Sequence, residues 1–197
     1  IEACNHLGVE VITLYSFSLE NWKRPQDEID AIMSIYREYI QAQRPQMMAD
    51  GLRFRQIGRR EGLPQPVLDM VDETEAMTAA NRAATLCLAV NYGSRAEIVD
   101  AMRALALKVQ RGEMQPADID ERQIARHLYT GDLPDPDLLI RTAGEMRVSN
   151  YLLWQISYAE LWVTRTLWPD FAAADLHEAI RSYAQRSRRF GGLEDES

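Results

Sequence analysis

Residues 137–162, DLLIRTAGEMRVSNYLLWQISYAELW, hold the clearest local pattern in the chain. A short apolar run (Leu138, Leu139, Ile140) reads as a buried strand. Arg141, Glu145, Arg147, Ser149 and Asn150 then crowd into a small-residue turn, and an aromatic-rich helical pattern is expected to follow. Strand, polar turn and helix form the repeating unit of a parallel sheet. A strand end that carries two arginines together with hydroxyl and amide side chains, at the start of a helix, is also suited to a phosphate or diphosphate. A plainer reading stands beside it, in which Ser149 caps the helix and the arginines are solvated.

Towards the N-terminus the same unit recurs. Residues 1–8 (IEACNHLG) read as the last turns of a helix closed by Gly8. VEVITLYSF (Val9 to Phe17) is rich in β-branched and aromatic residues, as expected of a strand buried on both faces of a parallel sheet. Ser18, Glu20, Asn21, Trp22 and Arg24 follow directly, and ligands in open α/β sheets bind beyond the carboxyl ends of strands. Pro25 opens a helix up to about Gln43, with Ile29, Ile32, Met33, Tyr36 and Ile40 at helical spacing. That stripe faces the core or lines an apolar tunnel, and periodicity does not separate the two.

LRFRQIG (Leu52 to Gly58) reads as a strand nearer the sheet edge, and ATLCLAVNYGSR (Ala84 to Arg95) as a second buried strand running into a glycine turn. Helices are expected over 64–81, 96–113 and 118–127. ELWVT (Glu160 to Thr164) is expected as a last short strand, Trp168 to Phe171 as a turn, and DLHEAIRSYAQRSRRF (Asp175 to Phe190) as a final helix carrying Arg181, Arg186, Arg188 and Arg189. Strands alternate with helices throughout. The expectation is therefore one α/β domain over 1–190, a mostly parallel central sheet covered by helices, with a flexible tail at 191–197.

Composition bounds the function. A chain of 197 residues suits one domain with a sizeable core, and no run approaches the roughly 20 apolar residues of a membrane span. A net charge of -8 argues against sequence-independent nucleic-acid binding, so any phosphate site must be a local arginine cluster. Cys4 and Cys87 lie far apart in apolar surroundings and read as buried thiols; His6, His127 and His177 lack any zinc-type spacing. No dinucleotide or Walker-type glycine loop is present.

The two polar loops, after the Val9 strand and after the Leu138 strand, are expected to converge on one cleft. Arg24, Arg141 and Arg147 offer planar donors for diphosphate oxygens, Ser18 and Ser149 smaller ones, and Trp22 an apolar shield. Glu160, between Ala159 and Leu161, either pairs with an arginine or binds a hard cation.

SFSLENWKRP (Ser16 to Pro25), NYGSR (Asn91 to Arg95), RTAGEMRVSNYLLWQISYAE (Arg141 to Glu160), LWPDF (Leu167 to Phe171) and RRFGG (Arg188 to Gly192) resemble, in order and spacing, the motifs of the cis-prenyltransferase family, most closely its bacterial undecaprenyl diphosphate synthases. The resemblance implies the α/β cis-prenyltransferase fold with an apolar tunnel, not the all-α trans-prenyltransferase fold. It implies an enzyme that adds isopentenyl diphosphate in cis to farnesyl diphosphate and makes the undecaprenyl lipid carrier for cell-wall glycans. It also implies Mg²⁺, a homodimer, and a cytoplasmic protein that delivers its product at the inner face of the plasma membrane.

Carried over by position, Asn21 matches the residue assigned to proton removal, although an amide is a poor base and orienting substrate or water suits it better. Ser18, Leu19, Glu20, Trp22 and Arg24 match the segment around the allylic and isopentenyl groups. Arg141, Arg147, Val148 and Ser149 match the holders of isopentenyl diphosphate, and Glu160 the metal-binding glutamate. The family's Asp-Gly-Asn-Gly-Arg-Trp type segment is not among these residues, and the chain starts at Ile1, so the 197 residues alone are expected to be inactive. Ala143 stands where a second glycine is common, and Met146, a poor Mg²⁺ ligand, where many relatives have histidine. A straight helix would set Ser149 and Glu160 roughly 16 Å apart, so a shared diphosphate requires a bend or two subunits. A non-catalytic partner subunit of the same fold and a short-chain cis synthase are the alternative readings.

Overall fold

The computed structural model describes residues 3, 4 and 7–186 and divides into two compact units, 1–134 and 135–197. In the first unit, Gly8 (φ 71°) closes a helical turn, with the Val9 N–H donating to the Cys4 carbonyl at 3.1 Å. This is the glycine stop expected there. β1 (Val11–Ser18), β2 (Leu52–Ile57) and β3 (Ala84–Tyr92) form a three-stranded sheet in the order β1-β3-β2, with both pairings parallel. β2 is an edge strand, as its alternation suggested. β3, the most apolar, is central and buried along nearly its whole length.

The helices bounded among the described residues of this unit are α1 (Gln26–Ala49), α2 (Gln65–Thr78), α3 (Ser94–Gln110) and α4 (Glu121–His127). The α1 stripe is core-facing. Ile29, Met33, Tyr36 and Ile40 are buried in one cluster with Ile12 and Phe17 of β1 and Leu86 and Leu88 of β3. Cys87 is fully buried, and desolvation pushes its thiol up to about 12; burial also raises the half-buried Cys4 thiol.

α1 runs past its expected end and through Pro45. A proline inside a helix costs about 3 kcal/mol in isolation, because its amide cannot donate and its ring crowds the preceding turn. Tertiary fastening on both sides of the proline offsets this. Arg44 donates from Nε to Thr74 Oγ1 (2.9 Å), from Nη1 to Glu73 (2.8 Å) and from Nη2 to the Met70 carbonyl (3.1 Å), and Met47 is 3% exposed.

In the second unit, β4 (Leu138–Arg141) and β5 (Glu160–Val163) form a two-stranded parallel sheet, and α5 (Ala173–Ala184) follows a 3-10 turn at Trp168–Asp170. Among the described residues all strand pairs are thus parallel, as expected, with a three-stranded sheet in the first unit and a two-stranded one in the second. Arg188, Arg189 and the RRFGG motif lie outside the described residues, as does the expected tail. No helix among the described residues is long and apolar enough to cross a membrane.

Candidate functional site

The first cluster of expected site residues sits where β1 ends. A 3-10 turn at Leu19–Lys23 follows Ser18, and Asn21 Oδ1 accepts a hydrogen bond from the Ser18 N–H at 2.8 Å. The Asn21 side-chain oxygen thus helps to fix its own turn, and the amide Nδ2 carries the donors that could orient a ligand. Trp22 packs edge-on against Phe17, with ring centroids 5.2 Å apart, and donates from Nε1 to Asn91 Oδ1 at 2.6 Å. Arg24 is exposed and paired with Glu28 at 2.5 Å, one turn along α1. Leu19 is half-buried, and Glu20 is exposed.

Asn91 has no role in the sequence reading beyond its place in NYGSR. It is 2% exposed, has φ 53°, and donates from Nδ2 to the carbonyls of Arg59 and Glu61, both at 2.9 Å. One signal in the sequence does point to it: asparagine before Tyr-Gly at a strand end is a residue type enriched in the left-handed conformation. Gly58 lies against the same turn, and a Cβ built there would meet the Val90 carbonyl oxygen at 2.1 Å. Next to Asn91, Tyr92 donates to the fully buried Glu97, whose other oxygen accepts from the Tyr129 N–H at 2.8 Å. The Tyr129 hydroxyl and both Arg59 nitrogens converge on Asp100 (Arg59 at 2.8 and 2.9 Å), and the guanidinium holds that carboxyl below its usual range. Burial, reinforced by Asp100, raises the Tyr129 hydroxyl.

The second cluster lies beyond β4. Arg141 ends the strand, half-buried, and its Nε is shielded from solvent with no hydrogen-bond partner among the described residues. The turn after it is pinned to the segment following β5: Ala143 N–H donates to Thr166 O (2.9 Å) and Gly144 N–H to Thr164 O (2.8 Å), both residues having positive φ. Arg147 is exposed and ion-paired with Glu145. Val148 is half-buried, Ser149 exposed, and Met146 84% exposed.

The helix expected from Ser149 does not form. Ser149, Asn150 and Leu152 adopt φ of 51°, 59° and 45°, and residues 149–158 make successive turns. A right-handed helix does not accommodate three such residues, so Ser149 is no N-cap, and the aromatic spacing reflects burial of Tyr151 and Leu152 instead. The segment bends, as a diphosphate shared by Ser149 and Glu160 would require.

Glu160 opens β5 opposite Leu138, whereas Arg141 faces Val163. The glutamate thus lies at the other end of the strand pair, roughly 10 Å from the level of Arg141 at about 3.3 Å per residue. Its carboxylate accepts from Arg186 at 2.6 Å, and no cluster of three or more potential metal ligands occurs among the described residues. A single carboxylate does not by itself make an Mg²⁺ site, which takes several oxygen ligands in near-octahedral geometry. Of the two roles left open for Glu160, the described geometry is the arginine pair.

The family profile described as "Putative undecaprenyl diphosphate synthase" matches residues 1–191. The isoprenyl transferase of Heliobacterium mobile is 45% identical over 98% of this chain and 74% of its own length. A ditrans,polycis-undecaprenyl-diphosphate synthase ((2E,6E)-farnesyl-diphosphate specific) of Xanthomonas campestris pv. campestris is 46% identical over 97% of this chain and 74% of its own. Among solved structures, lavandulyl diphosphate synthase from Lavandula x intermedia, in complex with dimethylallyl diphosphate, superposes with a TM-score of 0.93 at 38% identity, over 96% of this chain and 82% of that one. A probable undecaprenyl diphosphate synthase from Campylobacter jejuni gives 0.85 at 32%, over 96% and 87%. With its parallel α/β architecture and its motifs matched from end to end, the chain belongs to the undecaprenyl diphosphate synthase family of prenyltransferases.

Proposed function

We propose that the protein is a cis-prenyltransferase that condenses isopentenyl diphosphate onto farnesyl diphosphate to make a long-chain polyprenyl diphosphate, of undecaprenyl length, used as the lipid carrier for cell-wall polysaccharide. The observation that carries this reading is the 46% identity, over 97% of the chain, to a relative whose name specifies farnesyl diphosphate. In each cycle the isopentenyl double bond forms the new carbon–carbon bond to C1 of the allylic substrate, the C1–O bond breaks and diphosphate leaves, and a proton is lost from the isopentenyl unit.

Ser18, Leu19, Glu20, Trp22 and Arg24 shape the surroundings of the allylic and isopentenyl groups. Asn21 orients substrate or water through its amide donors and is not the final proton acceptor, because its oxygen is held by Ser18. Arg141, Arg147, Val148 and Ser149 hold the isopentenyl diphosphate. The buried, unpaired Nε of Arg141 supports this role, since a desolvated guanidinium donor gains most from an anionic oxygen. Arg147 exchanges a surface pair with Glu145, worth at most about 1 kcal/mol, for the diphosphate. Mg²⁺ enters from the family alone, with Glu160 as the carboxylate that the family pattern assigns to it. Homodimer formation and delivery of the product to the inner membrane face belong to the same proposal.

A product of some forty or more carbons needs an apolar enclosure, because each exposed CH₂ costs about 0.8 kcal/mol in water. The α1 stripe with β1 and β3 is the apolar layer available in the first unit, and its side chains would part as the product grows. The test is elongation by the full-length protein with farnesyl and isopentenyl diphosphates and Mg²⁺, the products being sized by chromatography. Polyprenyl products of undecaprenyl length are expected; absence of any elongation overturns the enzymatic reading, and products that stop after one or two added isopentenyl units replace it with a short-chain synthase.

A further inference from the structure

The carboxyl ends of three parallel strands in the first unit meet at a single side chain. Asn91, the next-to-last residue of β3, has its amide group fully used: Oδ1 accepts from Trp22, in the turn after β1, and Nδ2 donates to Arg59 and Glu61, in the loop after β2. Its own carbonyl accepts from the Arg59 N–H at 3.1 Å. The residue is 2% exposed and has φ 53°, a conformation that asparagine tolerates and most side chains resist. The Leu19–Lys23 turn has no fully buried residue of its own, so its packing depends on partly buried side chains such as Trp22, which lies against the core cluster.

We propose that Asn91 is a positioning residue: by accepting the indole N–H it sets the orientation of Trp22, and with it the register of the Ser18–Arg24 segment toward substrate, without touching substrate itself. This rests on the reading of that segment as part of the prenyl transfer site. An indole held at one edge by Phe17 and at its nitrogen by Asn91 has little rotational freedom left, so the ring face and the neighbouring Asn21 and Arg24 are presented in one arrangement. The two Nδ2 bonds serve a separate purpose, which is to hold the loop after β2 against the end of β3.

The test is a double-mutant cycle in the full-length protein, read as kcat/KM for isopentenyl diphosphate, with thermal melting followed in parallel. Asn91→Gly removes the side chain but tolerates the positive φ; Trp22→Phe keeps a ring and loses the donor. Each single change is expected to lower kcat/KM about five- to tenfold, the worth of one well-made hydrogen bond, and the double variant is expected to fall no further than the worse single one. Multiplied losses in the double variant, or an Asn91→Gly protein that melts lower with unchanged kcat/KM, overturn the proposal and leave Asn91 a structural residue only. A silent Trp22→Phe overturns the reading of the segment itself, and the positioning role with it. Asn91→Asp covers the case in which the glycine variant does not fold. It keeps the acceptor for the indole and gives up the donations to residues 59 and 61, so it is expected to melt lower yet hold kcat/KM within about twofold. A tenfold fall in kcat/KM for that variant counts against the proposal.

Discussion

Replacing Gly58 by alanine tests how closely the ends of β2 and β3 approach. An alanine Cβ at this position would lie 2.1 Å from the Val90 carbonyl oxygen and 3.0 Å from that of Asn91, so the two backbones must separate by about 1 Å to reach ordinary contact. The φ of 119° is also one that an L side chain avoids, at a cost on the order of 1–3 kcal/mol. Separation stretches the Arg59 N–H bond to the Asn91 carbonyl and the Asn91 amide bond to the Arg59 carbonyl, adding about 1 kcal/mol for each bond lost. The sum is about 3–5 kcal/mol, which for a chain of this size lowers Tm by roughly 6–20 °C. Gly62 supplies the control. It has φ 88° with nothing within 4 Å of a built Cβ, so Gly62→Ala carries only the conformational cost, about 1–2 kcal/mol. Thermal and urea unfolding of the two variants, followed by circular dichroism, makes the comparison. If Gly58→Ala is no more destabilising than Gly62→Ala, the argument from close approach is wrong.

Arg147→Ala is expected to raise the isopentenyl diphosphate KM about tenfold with little change in Tm, because the side chain is exposed and its one described partner is a surface carboxylate; an unchanged KM in steady-state assays would make it a surface residue only. Thr78→Val leaves the Phe54 N–H, which now donates to Thr78 Oγ1 at 3.0 Å, buried without a partner. A loss of about 1–3 kcal/mol in urea titrations is expected, largely restored by Thr78→Ser, and equal stabilities for the valine and serine variants would argue against it. The Asp100 carboxyl is depressed below 3.8, chiefly by its bond to Arg59, so it binds protons less readily when folded than when unfolded. Its contribution is thus fully present above the unfolded value and lost as pH falls through the lower folded one. Urea midpoints measured from pH 5 to pH 2.5 should fall less steeply for Asp100→Asn than for the unaltered protein, and parallel curves would exclude Asp100 as a contributor.

How much of this was legible in the sequence depended on the range of the interaction involved. β3 and the α1 stripe were readable because burial on both faces, or on one helical face, leaves a periodic trace in the sequence itself. Gly8 was readable as a helix stop for the same local reason. The turns at 149–158 were not, since Tyr151, Leu152 and Gln155 are spaced as a helix would space them, while the left-handed conformations at Ser149 and Leu152 are carried by residue types that do not announce them. The passage of α1 through Pro45 depended on Arg44 reaching α2, a contact across some thirty positions that no local rule contains. At the candidate site, Ser18, Asn21, Trp22, Arg24, Arg141 and Arg147 were singled out as candidates by residue type and position after strands. Asn91 was missed because its importance lies in what it joins, residues 22, 59 and 61, and not in its own chemistry.

Pro45 also has a dynamic consequence. With no amide proton at that position, the carbonyl of Gln41 lacks its helical donor, and the ladder of α1 is interrupted at one rung. The two lengths of the helix are anchored independently, the first by Ile29, Met33, Tyr36 and Ile40 in the core cluster, the second by Arg44 and Met47. Its backbone amides should divide into two families in hydrogen exchange, each with its own opening free energy and with the boundary at Pro45, so that the short end next to β2 can open while the longer apolar part, held in the core, stays closed.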